Sequence, residues 1–195
     1  MNVAIIKYNA GNISSVSAAL KRLDVRAVIT DNPEIICKAD KVIFPGVGEA
    51  RTTMDFLKAN KMDALIKDLK QPVLGICLGM QLLCSHSEEG NTDCLGVFDA
   101  KVKKFVPSNE YKVPHMGWNL IEDLKGDLFT PDLDGRFVYF VHSYYVPVNE
   151  YTIATTDYIQ PFSAALQKDN FYATQFHPEK SGSVGDAILK NFLRL

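Results

Sequence analysis

The chain has 195 residues, 47% of them hydrophobic and 23% charged, with a formal net charge of −2. That length and make-up fit one compact domain, taken here as residues 1–195, with a sizeable core. The balanced charge carries no Lys/Arg stripe and argues against a nucleic-acid partner, and the longest apolar runs, residues 138–141 and 72–77, are far too short to span a bilayer.

The N-terminus runs directly into Asn2-Val3-Ala4-Ile5-Ile6, with neither a basic flank nor a small-residue cleavage site, so no signal peptide is expected. Cys37, Cys77, Cys84 and Cys94 lack the spacing of a zinc ribbon or a redox Cys-x-x-Cys. Reduced thiols in a cytoplasmic protein, without metal or cofactor, follow from that pattern.

In chain order, Val3 to Ile6 reads as a first strand, and Tyr8-Asn9-Ala10-Gly11-Asn12 as a turn and helix-cap cluster. Ile13, Val16, Leu20 and Leu23 then recur at helical spacing. Residues 25–29 and 42–44 read as the second and third strands, the latter stopped by Pro45-Gly46-Val47-Gly48. A helical stretch over residues 49–69, broken near Asn60, leads to a buried strand at 72–76 and a helix opening at Leu78. This alternation predicts an α/β fold with a mostly parallel sheet flanked by helices. The C-terminal half is strand-rich: residues 100–106, 137–145, 152–155, 163–166 and 171–175 carry β-branched and aromatic residues. A last helix over 184–193 would bury Ala187, Ile188, Leu189 and Phe192.

Gly75-Ile76-Cys77-Leu78-Gly79 is the most informative segment. An apolar strand enters it and a helix leaves it. A side chain held on so sharp a turn needs small neighbours two residues away on each side, the logic of a nucleophile elbow. The helix N-terminus would also favour a reactive thiolate. A lone cysteine is more often a small buried hydrophobe, and Cys37, Cys84 and Cys94, without the glycine pair, keep that reading. In His177-Pro178-Glu179 the proline keeps the chain extended, so base and carboxylate two residues apart would face one site. His86, among Ser85, Ser87, Glu88 and Glu89, reads as solvated, whereas packing or hydrogen bonding suits His115 and His142 as well as chemistry does. Attack on an amide carbonyl needs donors for the oxygen. The backbone N–H of Leu78 comes free with the elbow, and the glycine turn Pro45 to Gly48, at a strand's carboxyl end, could supply another.

Pro45-Gly46-Val47-Gly48, Gly75-Ile76-Cys77-Leu78-Gly79-Met80-Gln81 and His177-Pro178-Glu179, in that order, resemble the class I (triad) glutamine amidotransferases. Tyr8 to Ile13, Lys112 to Asn119, Tyr139 to Tyr145 and His177 to Ser181 bring the likeness closer to one branch. That branch is the glutaminases that pass ammonia to a (β/α)₈-barrel cyclase making imidazole glycerol phosphate and an aminoimidazole carboxamide ribotide in histidine biosynthesis. The resemblance runs from the first strand to the final helix. It implies that Cys77 attacks the carboxamide of L-glutamine and forms a thioester, that His177 moves the protons, and that Glu179 orients His177. It further implies an oxyanion hole from the backbone of Val47, Gly48 and Leu78, and a grip on the amino-acid end of glutamine by Gln81, Glu89, Ser143 and Tyr144. By sequence alone, Glu89 beside Glu88 reads more readily as a solvated charge. Asn12, Met116, Trp118, Tyr139 and Lys180 match the face that meets the cyclase. Lys7 departs from the acidic residue that relatives often carry before the tyrosine, outside the triad motifs. Two other readings stay open: a paralogous glutaminase feeding a cyclase-like partner in surface-sugar amination, and a non-catalytic scaffold.

Overall fold

The computed structural model describes residues 1–8 and 12–195; Asn9, Ala10 and Gly11 of the expected turn cluster lie outside the described residues. The N-terminal half runs β1 (Val3–Ile6), α1 (Ile13–Arg22), β2 (Ala27–Thr30), α2 (Pro33–Lys38), β3 (Lys41–Phe44), α3 (Ala50–Ala59), α4 (Met62–Asp68), β4 (Val73–Ile76) and α5 (Leu78–Leu83). Two short strands, β5 (His86–Ser87) and β6 (Thr92–Asp93), precede β7 (Lys101–Lys104), β8 (His115–Ile121), β9 (Arg136–His142) and β10 (Tyr144–Tyr145). Finally come β11 (Thr152–Tyr158), β12 (Gln160–Lys168), β13 (Phe171–Thr174) and α6 (Gly182–Arg194).

The main sheet has seven strands in the order β11-β12-β13-β4-β3-β1-β2. Five of them, from β2 to β13, run parallel, and β12 and β11 extend the sheet antiparallel. Strands β1, β3, β4 and β13 are buried at every residue, as a parallel strand covered on both faces must be. Alternation splits the core in two. Val3 and Ile5 pack with Val16 and Leu20 of α1 and Ile188 and Phe192 of α6. Ala4 and Ile6 face the other way, toward Ile36, Met54, Leu57 and Ile66 of α2, α3 and α4. Among the described residues, no helix is long and apolar enough to cross a membrane.

The mixed sheet and its flanking helices are the expected α/β architecture, with the expected break near Asn60, but two segments differ from the sequence reading. Helix α2 has only six residues, too few to show a period, and forms because the Asn32 side chain accepts the Glu34 N–H at 2.9 Å with Pro33 in the first turn. At the break near Asn60, Lys61 lies between α3 and α4 in the left-handed region at φ 55°. The run 137–145 divides at Ser143: β9 pairs with β8, and β10 crosses to a second sheet beside β7.

Strand β8 is not among the strands expected from the sequence, because Pro114 and Gly117 are residues typical of loops. It forms a two-stranded ribbon with β9, in which His115 lies opposite His142 and Trp118 opposite Tyr139. One face of this ribbon turns into the core with Ile121, Val138 and Phe140. The other carries Met116, Trp118 and Phe137, which are 63%, 55% and 55% exposed. Trp118 is therefore mid-strand.

Candidate active site

Strand β4 ends and α5 begins at Cys77, whose backbone takes φ 53° and ψ −107°. A non-glycine residue there is strained by roughly 1–3 kcal/mol and persists only where its surroundings fix it. They do. The Cys77 N–H donates to the Thr174 carbonyl of β13 at 2.7 Å, and its carbonyl accepts the Gln81 N–H at 3.2 Å. A Cβ on Gly79 would lie 2.1 Å from the Phe44 carbonyl oxygen, and one on Gly75 would lie 3.0 Å from that of Gly79. Gly79 is demanded by the approach of α5 to the end of β3, and Gly75 by the approach of α5 to its own strand.

His177 follows β13, and its N–H donates to the Tyr139 carbonyl of β9 at 2.9 Å. The segment after it is not extended: residues Pro178–Lys180 form a 3₁₀ turn. That turn, and not alternation along a strand, brings Glu179 Oε1 to 2.8 Å from His177 Nδ1. The Ser181 hydroxyl closes it, donating to the His177 carbonyl at 2.6 Å and accepting the Tyr139 N–H at 3.0 Å. Asn12 Nδ2 also donates to Glu179 Oε1. Asn12, expected only at the partner face, thus turns inward to the carboxylate.

Burial works against a charged His177, but the Cys77 sulfur and the Glu179 carboxylate outweigh it and push the imidazole up to about 10. Among the described residues, His177 Nε2 and Glu179 Oε2 are buried without a hydrogen-bond partner. An unpartnered buried nitrogen on a histidine whose other nitrogen is held by a carboxylate can act as a base with its working face free.

A cavity of about 260 Å³ opens over the sulfur, lined by Cys77, Leu78, Val47, Gly48, Gln81, Glu89, Ser143 and Tyr144, with Val141 and His142. A roomier cavity, about 460 Å³ between Asp123 and Asp134, holds no nucleophile and base. Chemistry, not size, selects the smaller one. Glu89 is not the solvated charge its neighbours suggested. One of its oxygens accepts the Ala50 N–H at the start of α3 at 2.8 Å, and burial first, with Glu49 in addition, raises its pKa against that hydrogen bond. His86, half-buried, lies 3.1 Å from Asp93 Oδ1 outside the cavity lining.

The Leu78 N–H is not free: it donates to the Gly46 carbonyl at 3.3 Å. In a trans peptide the carbonyl and the following N–H point opposite ways, so the Val47 N–H points away from that of Leu78. Gly48, at φ 136°, takes a conformation that other residues rarely adopt. The Tyr8 hydroxyl donates to the Pro45 carbonyl and fixes the peptide just upstream.

Several residues beneath the site carry no sequence signal of their own. His142 donates from Nδ1 to the Tyr144 carbonyl at 2.7 Å, leaving its Nε2 to accept from His115 Nδ1 at 3.0 Å. Burial lowers the two imidazoles to about 3 and about 4, so both are neutral and their roles are hydrogen bonding and packing. Gln81 Nε2 donates to the Tyr144 carbonyl at 3.0 Å and to Gln175 Oε1 at 2.9 Å, which leaves Gln81 only an acceptor for a ligand. On the outer face of the ribbon, the Tyr139 ring lies 6.0 Å from that of Trp118, with Lys180 Nζ 5.9 Å above it.

A profile of the family described as glutamine amidotransferase class-I matches residues 4–195. The chain is 69% identical, over the full length of both, to the imidazole glycerol phosphate synthase subunit HisH of Bacteroides fragilis. It is 48% identical, again over the full length of both, to the subunit of the same name from Shigella flexneri. Among solved structures, a glutamine amidotransferase superposes with a TM-score of 0.75 over 98% of this chain and 97% of its own at 17% identity, a likeness of fold.

The His177 environment gives a pH test. Its folded pKa is raised above the ordinary 6.5, so the stability it contributes is full below about pH 6.5 and is lost as the pH climbs toward about 10. The melting-temperature gap between wild type and Glu179→Gln should narrow across that window. In Cys77→Ala the imidazole, followed by NMR, should titrate lower than in wild type. A gap that widens with pH, or a titration indifferent to Cys77, would show that the pair is not coupled as described.

Proposed function

Because this chain belongs to the glutamine amidotransferase class-I family, we propose that it is the glutaminase subunit of an imidazole glycerol phosphate synthase, acting in the cytoplasm beside a (β/α)₈-barrel cyclase. The observation that carries the chemistry is Cys77 on its strained elbow, beside a histidine whose outer nitrogen is free and whose inner nitrogen is held 2.8 Å from a buried carboxylate.

The reaction follows from that geometry. Cys77 gives its proton to His177 Nε2, and the sulfur adds to the carboxamide carbon of glutamine. The oxyanion that forms needs the Leu78 N–H and a second donor from the Val47–Gly48 turn. His177 returns the proton to the departing nitrogen, the carbon–nitrogen bond breaks, and ammonia leaves a glutamyl thioester. Water, deprotonated by His177, then releases glutamate and restores the thiol. Glu179 keeps Nδ1 protonated and the ring in place throughout. Glu89 and the Gln81 carbonyl offer acceptors to the substrate ammonium, with Ser143 and Tyr144 beside them in the cavity wall.

The exposed apolar face formed by Met116, Trp118 and Phe137, with Tyr139 and Lys180 beside them, supports docking of the cyclase. Its position explains how a partner would act on the chemistry. The Tyr139 backbone is bonded to both His177 and Ser181, so a load on the ribbon reaches the triad turn through single hydrogen bonds.

Three outcomes test this reading. Cys77→Ala should abolish glutamine-dependent synthesis by the assembled complex yet leave synthesis from ammonium salts largely intact; loss of both with the fold preserved would contradict the division of labour. With the Leu78 N–H capped by Gly46, the lone chain should hydrolyse glutamine poorly. Adding the cyclase with its ligand should raise the rate by about two orders of magnitude or more, since one oxyanion donor contributes roughly 2.7–4 kcal/mol. Full activity from the lone chain would refute that. Trp118, the single tryptophan and 55% exposed, should emit as a partly solvated indole and shift blue on titration with a tryptophan-free cyclase. An unchanged spectrum under saturating partner would exclude this face.

A further inference from the structure

Gln175 is fully buried just beyond the end of β13, one strand over from the elbow. A buried amide must satisfy both ends of its side chain or pay for desolvation. Gln175 Oε1 is satisfied by Gln81 Nε2 at 2.9 Å. Its Nε2 reaches a different kind of acceptor, the Cys77 sulfur at 3.7 Å, and makes no other side-chain hydrogen bond among the described residues.

The polarity of this chain of groups cannot be reversed. The Tyr144 carbonyl only accepts, so Gln81 must present its NH₂ there, at 3.0 Å. The second hydrogen of the same NH₂ points at Gln175, which must therefore present its oxygen to Gln81 and its own NH₂ to the sulfur. His142, bonded to the same carbonyl at 2.7 Å, holds it from the other side. A neutral thiol is a weak acceptor, and an N–H aimed at it contributes little; a thiolate is charged, and hydrogen bonds to charged groups are about twice as strong.

We propose that Gln175 is a further catalytic residue, donating an amide N–H to the Cys77 thiolate, with Gln81 and the Tyr144 carbonyl as positioning groups that fix which end of the amide faces the sulfur. The proposal rests on Cys77 being the nucleophile. When the Cys77 proton passes to His177, the negative charge left on sulfur falls in front of a donor already aimed at it. The thiolate is thus held between an imidazolium on one side and an amide dipole on the other, before substrate arrives.

The test needs neither glutamine nor a partner, so its outcome is separable from that of the glutaminase reading. The rate of Cys77 alkylation by iodoacetamide, followed by the mass of the Cys77 peptide, reports the thiolate fraction. In Gln175→Met and Gln175→Glu the rate at pH 7 should fall about tenfold, the effect of losing one hydrogen bond to a charged acceptor, and the alkaline plateau should stay within about twofold of wild type. Should either variant fail to fold, wild type itself decides. In ¹⁵N-glutamine-labelled protein the Gln175 side-chain amide should shift as Cys77 ionises, and that shift should vanish in Cys77→Ala. Folded variants alkylated at the wild-type rate at pH 7, or a Gln175 amide indifferent to Cys77, would overturn the proposal.

Discussion

The site depends on one backbone constraint, the positive φ of Cys77. Without it β4 would run on as a strand and the sulfur would sit in the core. With it, the side chain stands at the carboxyl edge of the parallel strands, where open α/β sheets collect their ligands. The strain is held by contacts on three sides: the hydrogen bond to Thr174 on β13, the approach of Gly79 to the Phe44 carbonyl on β3, and the opening turn of α5. Each contact comes from a different strand or helix, so the elbow can form only once the centre of the sheet has assembled. The same strands also carry the rest of the machinery. β3 leads into the glycine turn, and β13 leads into Gln175, His177 and Glu179.

Around that elbow the charges are few and the hydrogen bonds are directional. Two buried histidines are kept neutral to act as a donor relay, and one is raised to carry charge, although burial penalises all three alike. The difference lies in their partners. His142 faces a carbonyl and another imidazole, which offer hydrogen bonds but no charge, whereas His177 faces a carboxylate and an ionisable sulfur. The Tyr144 carbonyl is the fixed point of the neutral part of the network, because it accepts from both His142 and Gln81 and so sets the donor direction of each.

How much of this was legible in the sequence follows from the range of the forces involved. The elbow could be read because its cause is local: two glycines spaced around a cysteine at a strand–helix junction. His177 and Glu179 could be paired for the same reason, although the turn that joins them was taken for extended chain. Strand β8 was missed because Pro114 and Gly117 signal a loop, and its outer face alternates exposed apolar residues with core ones, which blurs the usual polar alternation. Gln175, Asn12 and the histidine relay were invisible as a network, since their partners lie up to 167 positions away and only the folded sheet brings them together. Glu89 reads as solvated from its neighbour Glu88, whereas its partner is the Ala50 N–H at the start of α3, 39 positions earlier in the chain.

These observations also locate what the isolated chain lacks under the proposed function. Nucleophile, base and orienter are already assembled, and the sulfur already has a donor. Under that proposal the missing part would be one peptide plane: the Gly46 carbonyl accepts the Leu78 N–H, and the Val47 N–H of the same plane points the opposite way. Rotating that plane would remove an acceptor from the oxyanion position and bring a donor toward it, so a single movement changes both halves of the hole. It need not disturb the hydrogen bond that fixes the Cys77 N–H, which runs to Thr174 and not to the turn. Control of the reaction can thus sit in a glycine-containing turn, where rotation is cheap, while the strained nucleophile stays fixed in the sheet.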